Sequence, residues 1–416
     1  MKGIQLDFLK KQAQVFCLAF VFSLPILSGA FFLSFELQKT YIIFNSFFAL
    51  CALLALIKVP KKTRFYFGFY TGVLLFYWIS LSFRFSPMPW LMPLIILAVA
   101  SIYGVIFTFL LWFENIFFRC FSVFILGFIH PFYFDWLFVE SFFAYSIFGV
   151  DKISLFCILV ALVLFLTQEG RKKTLAVLFL FIATLQTDFK TAYNSPLQIQ
   201  LVHTSIPQKI RWDQTSFNEI VRKNFEMIKQ AKEDLKEMII FPETAFPTLL
   251  NQDLFLLKEL KEQSRDITIV AGGLRADNQQ VFNSTYIFNQ GKVEIIDKVV
   301  LAPFGEKIPL PDFLAKPLQK IFFNTTEGFV SAEKPKDFKV KNFVFRNAIC
   351  YEGTSSIIYK DKPKYVVVIS NNAWFDPSIE PFFQQILLKY YARISKSLIL
   401  HSANSSNSMI ISPSLF

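Results

Sequence analysis

The chain has 416 residues, of which 54% are apolar and only 18% charged, and phenylalanine alone contributes 54. A soluble globular chain carries about a quarter charged residues, so an ordinary water-exposed protein is excluded, and the mean hydropathy of +0.45 agrees. The net charge of +11 does not mark a nucleic-acid binder, because Lys and Arg punctuate apolar runs instead of forming one basic face.

In chain order, apolar runs fall at 14–35, 41–57, 65–83, 88–112, 120–138, 153–167 and 174–187. A helix needs about 20 apolar residues to cross a bilayer, so about seven spans are expected, the last two being short. The first run is too long for a signal peptide and lacks a small-residue cleavage site. One set of connections holds Lys2, Lys10 and Lys11, then Lys58, Lys61, Lys62 and Arg64, then Arg119, then Arg171, Lys172 and Lys173. The alternate connections hold little beyond Lys39 and Arg84. The positive-inside rule therefore puts the N-terminus in the cytoplasm. Seven crossings would put residue 189 onward on the periplasmic side of the inner membrane. The expected division is a transmembrane domain, 1–188, and an extracytoplasmic domain, 189–416.

The second part reads as α/β. Gln198–His203 is a short apolar strand. Ser216 and Glu219 have capping-box spacing ahead of apolar residues at helical intervals, which predicts a helix starting near Ser216. Met238–Phe241 is the next strand, a helix near 252–264 follows, and Ile267–Ala271 is a strand. Val281–Phe288 and Val293–Val300 form a hairpin through Asn289, Gln290 and Gly291. Phe343–Ile349 and Tyr365–Ile369 are further strands, Ser378–Ser395 is a helix, and Leu398–His401 and Ser408–Ile411 complete the set. Alternating strands and helices with hairpins predict layered α/β structure with mixed sheets.

Four of the five cysteines, Cys17, Cys51, Cys120 and Cys157, lie in apolar runs, where Cys acts as a small hydrophobe. Only Cys350 lies in the polar part, so no intrachain disulfide is expected there. No CxxC or Cys/His cluster points to a metal, and no glycine-rich or Walker loop points to a nucleotide. Neither metal nor cofactor is expected. Cys350 ends an apolar strand before Tyr351-Glu352-Gly353, a tight turn whose N–H groups can face an oxyanion. A buried structural thiol is the weightier alternative on these residues alone. Glu243 follows another strand, between Pro242 and Pro247, at an apolar rim that suits a general base. A solvated loop Glu explains it equally well. Lys298 interrupts an apolar strand, which is costly unless its charge has a use; a long stem reaching water is the other reading. His203 and His401 lie on strands without motif support, so a Cys/His dyad is second choice.

The order Glu, Lys, Cys at strand ends resembles the carbon–nitrogen hydrolase (nitrilase) superfamily, with its αββα sandwich. Fused to a polytopic membrane domain, it resembles the bacterial apolipoprotein N-acyltransferase family. The segments that carry the likeness are Ile206-Pro-Gln208 with Lys209–Asp213, Phe241–Pro247, Asn283-Ser284, Asp297–Glu306, Ile349–Glu352 and Ser370–Phe375. The resemblance implies a Glu243–Lys298–Cys350 triad, with supporting roles for Glu306, Tyr351, Glu352 and Asn283. It implies that a phospholipid gives an acyl chain to Cys350 and that the thioester acylates the α-amine of a lipoprotein's diacylglyceryl cysteine. Expected partners are therefore the phospholipid donor, the lipoprotein acceptor and the bilayer, with no nucleic acid, and a monomeric enzyme. Trp212 and Trp374 are expected at the substrate.

Lys307–Phe323 is rich in apolar residues and holds Lys316 and Lys320. It reads as an interfacial arm that guides lipid with Phe322 and Phe323, or as ordinary packing. Several residues depart from the family pattern: Asn372 and Asp376 stand where many members have Asp and Gly, and His401 where a basic residue is frequent. Many members continue with more strand and a last transmembrane helix, whereas this sequence stops at Phe416. Either the branch lacks that helix or the sequence is truncated. In the first half the best local matches are Trp78, Phe134–Trp136 and Tyr145–Gly149. Two other functions fit the residues less well. One is a membrane-tethered amidase whose thioester is resolved by water; the other is a transporter or structural membrane protein.

Overall fold

A computed structural model of the chain describes residues 2–129, 134–189, 193–303, 305–308, 310, 311, 313, 315–317 and 328–415, with backbone alone at 2–6 and 172. The N-terminal part is helical: α1 (Lys2–Ser34), α2 (Gln38–Ile57), α3 (Arg64–Phe76), α4 (Met92–Leu110), α5 (Ile116–Leu126), α6 (Lys152–Thr167) and α7 (Thr174–Thr184). Among the described residues, four apolar helical stretches have the length to cross a membrane: Asp7–Ser34, Gln38–Ile57, Lys61–Phe85 and Pro89–Leu110. The third joins α3 to a 3-10 segment, Tyr77–Phe85.

The last three expected spans are shorter. α5, α6 and α7 have 11, 16 and 11 residues. At 1.5 Å per residue an 11-residue helix covers about 16 Å, roughly half a hydrocarbon core of about 30 Å. The run 120–138 does not make one helix. α5 stops at Leu126 before Gly127, and Phe134–Phe138 is extended chain leading to a 3-10 turn, Val139–Phe143. Two of the charges read as loop residues are buried. Arg119 lies within α5 and donates to the Ile57 carbonyl at the end of α2, at 2.5 Å, and Arg64 opens α3.

The α/β part contains two sheets. The first orders its strands β1 (Ile199–Leu201), β2 (Met238–Ile240), β4 (Thr268–Asp277), β5 (Gln280–Asn289) and β6 (Lys292–Asp297), with β3 (Phe246–Leu249) on β4. The second orders β11 (Met409–Ile411), β10 (Leu398–Asn404), β9 (Tyr365–Asn371), β8 (Phe343–Ile349) and β7 (Asp337–Val340). Four strands of the first sheet (β1 to β4) and three of the second (β8, β9 and β10) run parallel, beside antiparallel ones. The parallel strands are rich in apolar residues because both their faces are covered, with Gln200, Arg346, Asn347 and His401 among the exceptions. Met238 and Ile240 face the other sheet, meeting Phe345, Ile349 and Val367. Ile239 faces the opposite way, toward Ile228 of α8 (Gln214–Glu233) and Leu260 of α9 (Leu254–Gln263). On the outer face of the second sheet, Val366, Val368 and Ile399 pack in the same core as Phe383 and Leu387 of α10 (Glu380–Ser395). The layers are thus α, β, β, α, the sandwich anticipated above.

The hairpin turn falls where expected, with Gln290 and Gly291 both at positive φ, 51° and 75°, as a two-residue type I′ turn requires. α8 begins two residues earlier than the capping-box reading, with Asp213 at its N-cap. Glu219 is not a capping partner; it pairs with Lys223 at 2.7 Å, one turn on.

The outer helix α10 is also the inner wall of the helical part. A Cβ on Gly29 of α1 would lie 2.6 Å from Ile386 Cδ1, so α1 and α10 touch nearly backbone to side chain. Arg393 of α10 is buried and donates to the carbonyls of Phe143, Ala144, Ser146 and Phe148, at 2.8–3.2 Å.

Candidate active site

The candidate catalytic groups sit just beyond strand ends. Glu243 follows β2, Lys298 follows β6 and Cys350 follows β8, while Asn283 lies within β5. Burial at the C-terminal ends of parallel strands is where α/β sheets place ligands. Cys350 has φ +53° and Thr244, directly after Glu243, has φ +52°. Non-glycine residues rarely hold that conformation, which concentrates at functional turns.

The network holds both turns. Arg211, itself buried, donates to the carbonyls of Glu243 at 3.3 Å and Thr244 at 2.9 Å, and to Asn371 Oδ1 at 3.4 Å. Glu352 holds the cysteine turn. Its Oε1 accepts the Ile349 N–H at 2.7 Å, and its Oε2 accepts those of Val299 at 2.8 Å and Val300 at 3.1 Å. One carboxylate therefore joins the segment after Lys298 to the segment before Cys350.

Four side chains converge between the turns. Asn283 Nδ2 donates to Glu243 Oε1 at 2.7 Å and to Glu306 Oε1 at 2.9 Å. Glu306 Oε2 pairs with Lys298 Nζ at 2.7 Å and accepts the Ala302 N–H at 2.8 Å. The Glu243 carboxyl and the Cys350 thiol lie close enough to influence one another's ionisation. Glu243, Asn283 and Lys298 are all buried.

Burial sets the protonation states. It raises the Glu243 carboxyl pKa, which the nearby Lys298 charge only partly offsets. It also raises the Cys350 thiol well above its ordinary value, with the Glu243 charge adding to the effect. Burial opposes the Lys298 charge, but Glu306, Glu243 and Cys350 outweigh it and keep the ammonium above its usual range. Glu352 is pushed up to about 7 by burial, against the pull of Lys298 and three N–H donors. The resting site therefore holds a neutral thiol, a firmly charged lysine and a carboxyl poised to exchange a proton.

Two openings meet at Cys350. The larger is a cleft of roughly 1600 Å³ including its open mouth, lined by Glu243, Lys298, Arg211 and both Trp212 and Trp374. The second, roughly 910 Å³ including its mouth, is mostly apolar and walled by Trp78, Val99, Ile102, Tyr103 and Trp136. The helical part thus supplies much of the surface around the thiol. Tyr351 is central to that junction. Its ring stacks on Phe134 at 6.0 Å and its hydroxyl bonds Asp135 Oδ1 at 3.1 Å. Trp136 Nε1 donates to Thr354 Oγ1 at 2.8 Å.

The family model described as the apolipoprotein N-acyltransferase integral membrane domain matches residues 9–186. The apolipoprotein N-acyltransferase of Helicobacter pylori is 44% identical over 406 residues, covering 96% of this chain and 95% of that one. This chain belongs to the apolipoprotein N-acyltransferase family. The family's Wolinella succinogenes protein is 42% identical over 370 residues, covering 88% of this chain and 89% of that one. Among solved structures, a Nesterenkonia AN1 amidase from the nitrilase superfamily aligns at 16% identity with a TM-score of 0.40, over 54% of this chain and 86% of that one.

As a member of the apolipoprotein N-acyltransferase family, the protein is an acyltransferase with an integral membrane domain. Of the residues anticipated from sequence, Glu243, Lys298, Cys350, Asn283, Glu306, Trp212 and Trp374 share one cleft. Glu352 is a buried staple beneath it, and Tyr351 faces the apolar opening. Phe322 and Phe323 lie outside the described residues, as does most of the proposed lipid-guiding arm. The histidine alternative is not assembled: His401 Nε2 bonds Ser370 Oγ at 3.0 Å, and His401 lines a different cavity. Asp135 and Glu140 have inward partners, Tyr351 and Lys152. Sequence reading missed Arg211 and Glu380. Arg211 lay in a quoted segment but reads as a surface charge until its carbonyl partners are seen. Glu380 reads as an ordinary acid in the first turn of a helix.

Proposed function

We propose that the protein takes an acyl chain from a phospholipid onto Cys350 and passes it to the α-amine of a lipoprotein's diacylglyceryl cysteine. The observation that carries this reading is one buried network, joining the Cys350 thiol to Glu243, Asn283, Glu306 and Lys298, that opens on an apolar chamber built by the membrane helices.

Glu243 accepts the thiol proton as sulfur attacks the ester carbonyl, since the thiolate is the nucleophile. Negative charge then develops on the former carbonyl oxygen. The Lys298 ammonium and the N–H following Cys350 are the donors for it. Glu243 returns the proton to the leaving glycerol oxygen, lysophospholipid departs, and the thioester remains. The acceptor amine then attacks the same carbon, and the sulfur leaves. Glu306 and Asn283 hold Lys298 and Glu243 in register. Trp212 and Trp374 flank the wide cleft, where the lipoprotein's first residues would enter. The apolar chamber supports transfer over hydrolysis, because its apolar walls disfavour water beside the thioester.

The transmembrane domain is assigned to 1–188 and the catalytic domain to 189–416. The positive residues of one loop set favour a cytoplasmic N-terminus, so the active site would face the periplasm at the inner membrane. Both substrates are bilayer-anchored, so lateral diffusion delivers them, and one chain supplies every group invoked.

The test uses purified protein and phospholipid carrying a labelled acyl chain. Wild type acquires a hydroxylamine-sensitive label and Cys350→Ala does not; label retained in the variant removes the proposal. A diacylated lipopeptide discharges the label, and discharge by water alone would make the enzyme a hydrolase.

A further inference from the structure

One carboxyl near the thiol has no place in the sequence of steps above. Glu380 opens α10, is only 2% exposed, and lines the apolar chamber together with Cys350. Its Oε2 is buried without a hydrogen-bond partner, and no ion pair reaches it among the described residues. One turn on, Gln384 lines the same chamber with Nε2 unpartnered, while its Oε1 accepts from Asn372 Nδ2 at 3.1 Å. Buried polar groups are nearly always satisfied, and a lone buried carboxyl is among the costliest exceptions. Of the two cations in the catalytic network, Lys298 is already committed to Glu306, and Arg211 to the carbonyls of Glu243 and Thr244 and to Asn371. The chamber therefore presents an acid that lacks a donor, beside the sulfur that will carry the acyl group.

We propose that Glu380 receives the acceptor's α-ammonium and takes its proton, delivering the free amine to the Cys350 thioester. This inference rests on the transfer reaction proposed above and assigns a group to its second half. An ammonium is inert as a nucleophile, because its lone pair is bound to a proton. In water the proton stays on nitrogen, since an α-amine is a far stronger base than a carboxylate. A dry chamber narrows that gap, because both charged partners lose hydration while the neutral amine and acid lose little. Burial, reinforced by the Glu243 charge, already raises the Glu380 carboxyl well above its ordinary pKa. The other titratable side chains lining the chamber are Cys350, Tyr351 and Tyr103, and none of them supplies a positive charge.

The proton count closes. The acceptor's ammonium gives one proton to the Glu380 carboxylate, and its lone pair forms the C–N bond while the carbonyl pair moves to oxygen. Collapse restores the carbonyl and breaks the C–S bond, leaving the pair on Cys350 sulfur. The second nitrogen proton passes to Glu243, which is a carboxylate after the first half-reaction, and from there to the thiolate. Glu380 releases its proton to solvent.

A phosphoethanolamine headgroup also carries a primary ammonium. Its phosphate brings a negative charge that Glu380 repels, and the headgroup leaves with the lysophospholipid before the amine is needed. The acceptor is therefore the better fit.

The test separates the half-reactions in Glu380→Gln, with labelled phosphatidylethanolamine and phosphatidylglycerol as donors. Thioester formation is expected within about threefold of wild type from both donors. Discharge by a diacylated lipopeptide near neutral pH is expected to slow at least tenfold, with the deficit closing as pH rises past about 8, the range where an α-amine loses its proton unaided. Hydroxylamine, uncharged at neutral pH, should discharge both proteins alike. Absence of any thioester from wild type defeats the transfer reading itself. Normal lipopeptide discharge in the variant, or a defect confined to thioester formation from phosphatidylethanolamine, defeats the assignment of Glu380. Should Glu380→Gln fail to fold, Glu380→Asp retains a carboxyl and should show the wild-type pH profile of discharge; a deficit relieved by high pH in that variant defeats it also.

Discussion

Asn283 lends both hydrogens of one amide nitrogen to carboxylates, reaching Glu243 at 2.7 Å and Glu306 at 2.9 Å. An amide is nearly the only uncharged group of that size able to separate two acids in this way. Asn283→Asp would replace two donors by acceptors and place a third carboxyl between them. Two charge-assisted bonds are worth about 3 kcal/mol together at the low end, or about a hundredfold in rate. Acylation by labelled phospholipid should fall by about that factor, while Asn283→Ser should fall less. Equal, wild-type rates in both would remove Asn283 from the site.

Gly272 guards the base from behind. A Cβ there would lie 2.4 Å from the Thr244 nitrogen and 2.7 Å from the Glu243 Cα. Both are backbone atoms and have no rotamer to escape into. Overpacking of this kind costs about 1–3 kcal/mol, and here it would displace Glu243. Gly272→Ala should slow thioester formation at least tenfold with a lowered melting temperature. Its neighbour makes the control. A Cβ on Gly273 meets Leu250 side-chain atoms at 3.2 Å, which can shift, so Gly273→Ala should stay within about threefold. Indistinguishable behaviour of the two variants would defeat the reading.

His401 is buried, and burial lowers its pKa to about 4 from an ordinary 6.5. The folded protein thus binds fewer protons at this residue than the unfolded chain between those two values. The resulting stability is complete above pH 6.5 and is lost as pH falls toward 4. At most it amounts to about 1.4 kcal/mol per pH unit in that window. His401→Gln should therefore flatten the acid side of the stability profile, followed by the apparent melting temperature in detergent. Acylation should persist within about threefold, because the amide still reaches Ser370. Loss of thioester in this variant would revive a cysteine–histidine pair.

Tyr351 and Asp135 form a bridge between the cysteine turn and the chain from the membrane helices, at 3.1 Å. Tyr351→Phe keeps the ring on Phe134 and removes only the hydroxyl. A double-mutant cycle with Asp135→Asn, read on the acylation rate, should give a coupling of about 1 kcal/mol. Strict additivity would show that the bridge does not serve the nucleophile.

Much of this arrangement is legible in the sequence because strands and motifs coincide. Met238–Phe241 and Tyr365–Ile369 are apolar on both faces and Phe343–Ile349 is largely apolar; the first and the last of these three are each followed by a lone reactive side chain. The hairpin announced itself through Asn289, Gln290 and Gly291. Other features depend on contacts far apart in sequence. Glu352 could be named from the motif, but its hold on Val299 and Val300 crosses more than fifty positions. Arg211 and Glu380 have no local peculiarity, and only three-dimensional burial sets them apart from surface charges. β3 and β7 were not anticipated: Pro247 argues against a strand in the first, and the second is half charged, with Asp337 and Lys339. The run 120–138 misled because its hydropathy is continuous, while the helix stops at Leu126, ahead of Gly127.

α10 belongs to two bodies at once. It completes the sandwich as an outer layer and gives its opposite side to α1 and to the carbonyls that Arg393 gathers. In a free-standing α/β sandwich, such a helix turns a wet face outward. Here that face is greasy, and Arg393 would be left without its four oxygens. A fragment beginning at residue 189 would therefore clump in aqueous buffer. The helical half serves as a permanent chaperone for the catalytic half, and the two would have to be inherited, expressed and purified as a single piece.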